Sequence, residues 1–223
     1  MLEHNTSMNS IPDLVLSSEV HFHNKGSNHL IVWFGGINEP HFSGKLSNET
    51  GFDLVTVLDT RKSWYTDGLI SEHYSIQDGV SGLRKLIADR GYKKTIFCGQ
   101  SSGGYGALLY GFHVGVNLCF VFSPQTRNTY DGQCKMAPHV KLDNLARLYS
   151  DRSGTRLVFN MARSEKEHED SFYWDDWRHV DGFRCHPDAT FVIHPYNNHS
   201  VSVKIRETRN LYHYVSGMMK AFI

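Results

Sequence analysis

Short apolar runs alternate with amphipathic stretches along this chain. Seven runs, rich in β-branched and aromatic residues, predict strands at Glu19–His23, Leu30–Phe34, Leu54–Leu58, Thr95–Cys98, Asn117–Phe122, Arg156–Asn160 and Thr190–His194. Most are continuously apolar, the pattern of strands covered by helices on both faces. Between the strands, Val80, Leu83, Leu86 and Ile87 recur at helical spacing, predicting a helix over Ile76–Asp89 with Gly91 as its stop. Further helices are predicted over Ser102–Phe112, Leu142–Tyr149 and Val203–Phe222, with a shorter one over Tyr173–Val180. The alternation reads as βαβ units building a mainly parallel sheet with helices on both faces, an α/β fold. Met1–Asp13 is polar and reads as a loose N-terminal segment, and nothing in residues 14–223 resembles a linker, so these are expected to form one domain.

Composition narrows the class. The length of 223 residues suits one α/β domain with a full core. Lys+Arg and Asp+Glu both number 23, and a net charge of zero argues against affinity for nucleic acid through phosphate neutralisation. The 14 histidines are scattered, and no His/Cys spacing reads as a zinc site, so no metal is expected. Of the cysteines, Cys98 and Cys119 sit inside apolar runs, and no disulfide framework is visible beside Cys134 and Cys185. The N-terminus lacks a basic start followed by an apolar run, and no stretch is apolar enough to span a membrane. A reduced, cytoplasmic protein is the expectation.

The chemistry concentrates after the fourth strand. Gly99-Gln100-Ser101-Ser102-Gly103 fits G-x-S-x-G, with a strand before it and a helix after it. That is the context of a nucleophile elbow, where a serine sits on a sharp strand-to-helix turn and the following helix points its first amides at the reacting group. No lysine follows the glycines as in a phosphate-binding loop, and their spacing does not fit a dinucleotide fingerprint. The elbow implies an α/β-hydrolase fold, in which the partners follow in the order serine, acid, histidine. His199 lies in the loop after the last predicted strand and is the candidate base, whereas His194, at the strand end before Pro195, reads as structural. The acid belongs after the strand Arg156–Asn160, where Glu165, Glu167, Glu169, Asp170, Asp175 and Asp176 all compete; the residues alone do not pick one, though spacing makes Asp170 plausible, with Glu165 and Asp175 behind it. For the oxyanion, the amide of Ser102 is one expected donor, and Gly35 or Gly36, paired at the end of an early strand, the other.

These segments resemble the α/β-hydrolase-fold O-acetyltransferases that decorate bacterial capsular polysaccharides. The likeness runs from about Ile11 to the C-terminus and rests on Gly99–Leu109, Leu58-Asp59-Thr60, Pro124-Gln125, Asp170-Ser171 and His199. It implies Ser101 as nucleophile, Asp170 as acid and His199 as base. It also implies Asp59, Pro124 and Gln125 as residues near the substrate, acetyl-CoA as acyl donor and a saccharide as acceptor. An ester hydrolase would use the same three groups with water as acceptor, and a non-catalytic, hydrolase-like binding subunit is the alternative from another class.

Overall fold

The computed structural model describes residues 18–37, 44–70, 75–127, 144–150, 154–163, 176–196, 199–208 and 210–222. All seven expected strands form: β1 Val20–His23, β2 His29–Phe34, β3 Asp53–Val57, β4 Lys94–Gln100, β5 Leu118–Phe122, β6 Arg156–Ala162 and β7 Ala189–His194. They make one sheet in the order β1-β3-β2-β4-β5-β6-β7. Every neighbouring pair is parallel except β1 with β3, where Val20 faces Val57 and His23 faces Leu54 in antiparallel register.

Alternation along the strands sorts the core into two layers. On β2, Leu30, Val32 and Phe34 face one side with Val55, Phe97, Val121 and Phe159 of the other strands. Ile31 and Trp33 face the opposite side with Leu54, Ile96, Phe120 and Val158. Both sides need cover, and helices supply it. Helices α2 Ile76–Arg90, α3 Ser102–Val114 and α4 Leu145–Ser150 cover the first. Helices α1 Lys45–Thr50, α6 Val201–Thr208 and α7 Leu211–Phe222 cover the second, through Leu46, Val201, Ile205, Leu211, Val215 and Met219. A short helix, α5 Asp176–Val180, runs into a 3₁₀ turn over Asp181–Phe183. Among the described residues, no helix is long and apolar enough to cross a membrane.

Two helices depart from the sequence expectation. The predicted Val203–Phe222 helix is two helices, α6 and α7. The cause is Asn210, whose side-chain oxygen accepts from the His213 amide at 3.2 Å while its carbonyl accepts from the Tyr214 amide, starting a new helix. Helix α1 was not expected from periodicity; it is only six residues long and ends on Gly51 in the left-handed region, φ 74°.

The topology also fixes where a site belongs. From β2 the chain moves outward to β3, then returns across β2 to β4 and proceeds the other way to β5. The crevice at the C-terminal ends of β2 and β4 is therefore a switch point, where open α/β sheets bind their ligands.

Candidate active site

Ser101 stands at that switch point, between the end of β4 and the start of α3. Its backbone adopts φ 56° and ψ −119°, a conformation costly for a residue with a side chain. The turn is held by hydrogen bonds on both sides: the Ser101 amide donates to Phe122 O at 3.0 Å, and the Gln125 amide donates to Ser101 O at 3.3 Å. Glycines permit the close approach. A Cβ on Gly99 would lie 2.3 Å from the Gly103 carbonyl oxygen, and one on Gly103 would lie 2.2 Å from Phe34 O. The elbow thus packs its own helix directly onto the end of β2, with no room for a side chain between them.

The loop after β2 is tied to the same helix. The Ser102 hydroxyl accepts a hydrogen bond from the Ile37 amide at 3.1 Å. The Gly35 amide donates to Val57 O at 2.8 Å, continuing the ladder to β3. The N–H of Gly35, one of the two glycines expected to serve the oxyanion, is therefore engaged inside the sheet. The hydroxyl of Tyr65 donates to the Gly35 carbonyl at 2.7 Å and braces the loop from behind.

His199 enters from the loop after β7, and its Nδ1 lies 2.8 Å from Asp176 Oδ1. Both side chains are buried, at 8% and 9% exposure, so this contact is shielded from competing water. A carboxylate at Nδ1 holds the ring as the Nδ1–H tautomer, which leaves the lone pair that accepts protons on Nε2. Asp176 is the first residue of α5, where the unpaired amides of the helix favour an anion. That short helix is itself fastened twice. Trp177 Nε1 donates to Ala162 O at the end of β6, at 3.0 Å. The Thr126 hydroxyl, from the loop after β5, donates to the His179 carbonyl. Asp170, expected to meet His199, lies outside the described residues, as do Glu165 and Asp175.

His194, the competing histidine, sits elsewhere. Its Nε2 lies 3.1 Å from Asn160 Oδ1, which also accepts from the Tyr214 hydroxyl at 2.6 Å. Its ring stacks on Tyr196. This polar cluster links β6 and β7 to α7 through Tyr214.

The residues expected near the substrate have structural contacts. The Asp59 carboxylate accepts from the amides of Ser63 at 3.1 Å and Trp64 at 2.7 Å and from the Ser63 hydroxyl at 3.3 Å. These bonds curl the loop after β3, in which Lys62, Trp64 and Tyr65 all take positive φ. Burial raises the Asp59 carboxyl above its usual range, against the pull of those donors. Gln125 Oε1 accepts from Trp64 Nε1 at 3.0 Å. Pro124 packs on the first turn of α3, where a Cβ on Gly104 would come within 2.7 Å of it. Sequence reasoning overlooked Gln100, whose side-chain oxygen accepts from the backbone and the hydroxyl of Ser202. Its only sequence signal is its place inside the elbow motif.

No protein-family model matches the chain, and no curated protein matches it in sequence. Solved structures match it in shape. The capsule O-acetyltransferase of Neisseria meningitidis serogroup A superposes with a TM-score of 0.62 over 92% of each chain, at 14% identity. The chain has the α/β-hydrolase fold. A structure from a study of carboxylesterases of the ammonia-oxidizing thaumarchaeon Nitrososphaera gargenis matches with a TM-score of 0.60, covering 91% of this chain and 94% of that one at 12% identity. MenH from S. aureus gives 0.58, covering 92% and 98% at 11% identity. At these identities the α/β-hydrolase likeness concerns architecture, and the chemistry rests on this chain's own residues.

Proposed function

We propose that this α/β-hydrolase-fold protein is an acyl-transfer enzyme working through a covalent acyl-Ser101 intermediate. The observation that carries the reading is the buried His199–Asp176 hydrogen bond of 2.8 Å, formed by a chain whose Ser101 occupies a strained strand-to-helix turn. In this reading His199 is the base, Asp176 the residue that fixes its tautomer, and the amides of Ser102 and Gly36 the oxyanion donors. Ser102 opens α3, so its amide has no partner within the helix.

The chemistry runs in two halves. His199 Nε2 takes the Ser101 hydroxyl proton as Oγ bonds to the acyl carbonyl carbon, and the carbonyl electrons move onto an oxygen facing the two amides. The intermediate collapses, the bond to the leaving group breaks, and the leaving group takes the proton from the imidazolium. An acceptor hydroxyl then loses its proton to Nε2 and attacks the acyl-serine. Ser101 Oγ departs and recovers the proton.

The acyl group we assign is acetyl, the donor acetyl-CoA and the acceptor a saccharide hydroxyl. Support comes from the capsule O-acetyltransferase among the structural neighbours, which has also been solved with CoA bound, with a TM-score of 0.56 over 86% of this chain at 15% identity. Gln125, with Oε1 taken by Trp64, would offer its Nε2 to substrate. Ester hydrolysis is the second reading, favoured by the carboxylesterase neighbours; the same three side chains would then deliver the acyl group to water.

A serine-directed fluorophosphonate followed by intact mass tests the core of the proposal. One adduct is expected on the wild type, none on Ser101→Ala, and strongly slowed labelling on His199→Ala. A folded wild type that takes no adduct overturns it. Acetyl-CoA with an oligosaccharide, set beside an O-acetylated oligosaccharide in water, then separates transfer from hydrolysis.

A further inference from the structure

We infer that Gln100 is a positioning residue that locks the base-bearing turn against the nucleophile, with Ser202 as its partner. The inference rests on the Ser101–His199 reading and extends it. Gln100 is the residue before Ser101, and Ser202 comes three residues after His199. Across 102 residues of sequence, Gln100 Oε1 accepts the Ser202 backbone N–H at 2.8 Å and also the Ser202 hydroxyl. Both residues are buried, at 3% and 5% exposure.

The geometry makes this a short linkage. Ser202 lies in the first turn of α6, and the same turn is closed by Val201 N donating to His199 O at 2.9 Å and Lys204 N donating to Ser200 O at 3.0 Å. A first-turn amide has no partner inside its own helix. The Gln100 side chain supplies that partner from the strand whose next residue is Ser101. One amide oxygen thereby fixes the start of α6, and with it the loop end carrying His199, to the end of β4. Without Gln100 Oε1, the backbone N–H and the hydroxyl of Ser202 would be two buried donors with no acceptor. Asp176 holds the ring from the Nδ1 side, and Gln100 holds the backbone from below.

The Gln100 oxygen needs its length and its acceptor, not its amide nitrogen. Gln100→Met keeps the length and removes the acceptor, leaving two buried donors unpaired. Gln100→Glu keeps an acceptor at the same reach. Ser202→Ala keeps the backbone donor and removes the hydroxyl donor. A misplacement of the base by about 1 Å costs on the order of a hundredfold in rate, so Gln100→Met is expected to slow both fluorophosphonate labelling and turnover of p-nitrophenyl acetate by about that factor. The loss should fall on kcat with KM little changed. Ser202→Ala should lose less, roughly tenfold, because one of the two bonds remains. Gln100→Glu should recover most of the rate.

Each variant is checked for folding by near-UV circular dichroism before its rate is read. A folded Gln100→Met labelled at the wild-type rate overturns the positioning role while leaving the Ser101–His199 reading intact. Equal losses in Gln100→Met and Gln100→Glu also overturn it, since any change of packing would produce them. Should Gln100→Met fail to fold, Ser202→Ala decides: wild-type kcat in that variant is the overturning result. A wild type that takes no adduct fails the underlying reading instead.

Discussion

A buried carboxylate next to an imidazole does two separable things, and Asp176 is placed to do both for His199. Its oxygen, 2.8 Å from Nδ1, decides which nitrogen keeps a proton in the neutral ring, and its charge would stabilise the imidazolium formed when Ser101 is deprotonated in the proposed reaction. Asp176→Asn separates the two effects. The amide nitrogen can take the Oδ1 position and ask Nδ1 to accept, which forces the proton onto Nε2 and removes the base. Ester turnover is expected to fall by about 10³–10⁴, with the fold retained, and single-turnover acylation measured beside the wild type checks it. An Asp176→Asn enzyme within tenfold of wild type would show that another residue orients His199. The sequence alone did not single out this residue for a physical reason. Six carboxylates crowd positions 165–176, and choosing among them requires knowing which one a helix start presents to a residue 23 positions further on. The nucleophile was legible because its constraints are local: a strained turn needs small neighbours on both sides, and Gly99 and Gly103 announce them.

At the scale of elements, strands were read well and helix ends less well. Most of the strands are continuous apolar runs whose identity does not depend on context, and the observed bounds of all seven differ from expectation by no more than two residues. Helices α6 and α7 looked like one element because Ile205, Leu211, Val215 and Met219 face the same layer of the core. The signal that divides them is a single polar cap, Asn210, which periodicity cannot see. The cap makes a quantitative expectation possible. Asn210→Ala removes the acceptor for the His213 amide and should cost about 1 kcal/mol of stability, read as a lower denaturation midpoint with an unchanged slope. Because α7 packs on the sheet face behind the elbow, labelling of Ser101 should be unaffected. Helix α1 offered the opposite clue: Gly51 marks its end plainly, but six residues with Leu46 as their one deeply buried apolar side chain give no period to detect.

Over the whole molecule, two buried histidines have different hydrogen-bond partners, and the consequence can be measured. His199 is joined to α5 through Asp176 at the C-terminal edge of the sheet. His194, five residues earlier in the chain, is joined instead to Asn160 and to Tyr214 of α7. Asn160 also donates from Nδ2 to Val121 O at 3.3 Å, so His194 completes a network that ties β5, β6, β7 and α7 together. Removing His194 leaves the Asn160 oxygen short of one donor and opens a cavity against Tyr196. His194→Ala is therefore expected to lower stability by about 2–3 kcal/mol while Ser101 labelling, measured on the folded fraction, stays near the wild-type rate. His199→Ala should lower stability as well, because the buried Asp176 carboxylate loses its partner, but in that variant labelling measured on the folded fraction collapses. Reactivity of the folded protein, kept by one variant and lost by the other, distinguishes a base from a structural ring without any substrate in hand. If instead His194→Ala abolished labelling in a folded protein, the two networks would have to communicate through the β6–β7 pair, and the assignment of His199 as sole base would fall.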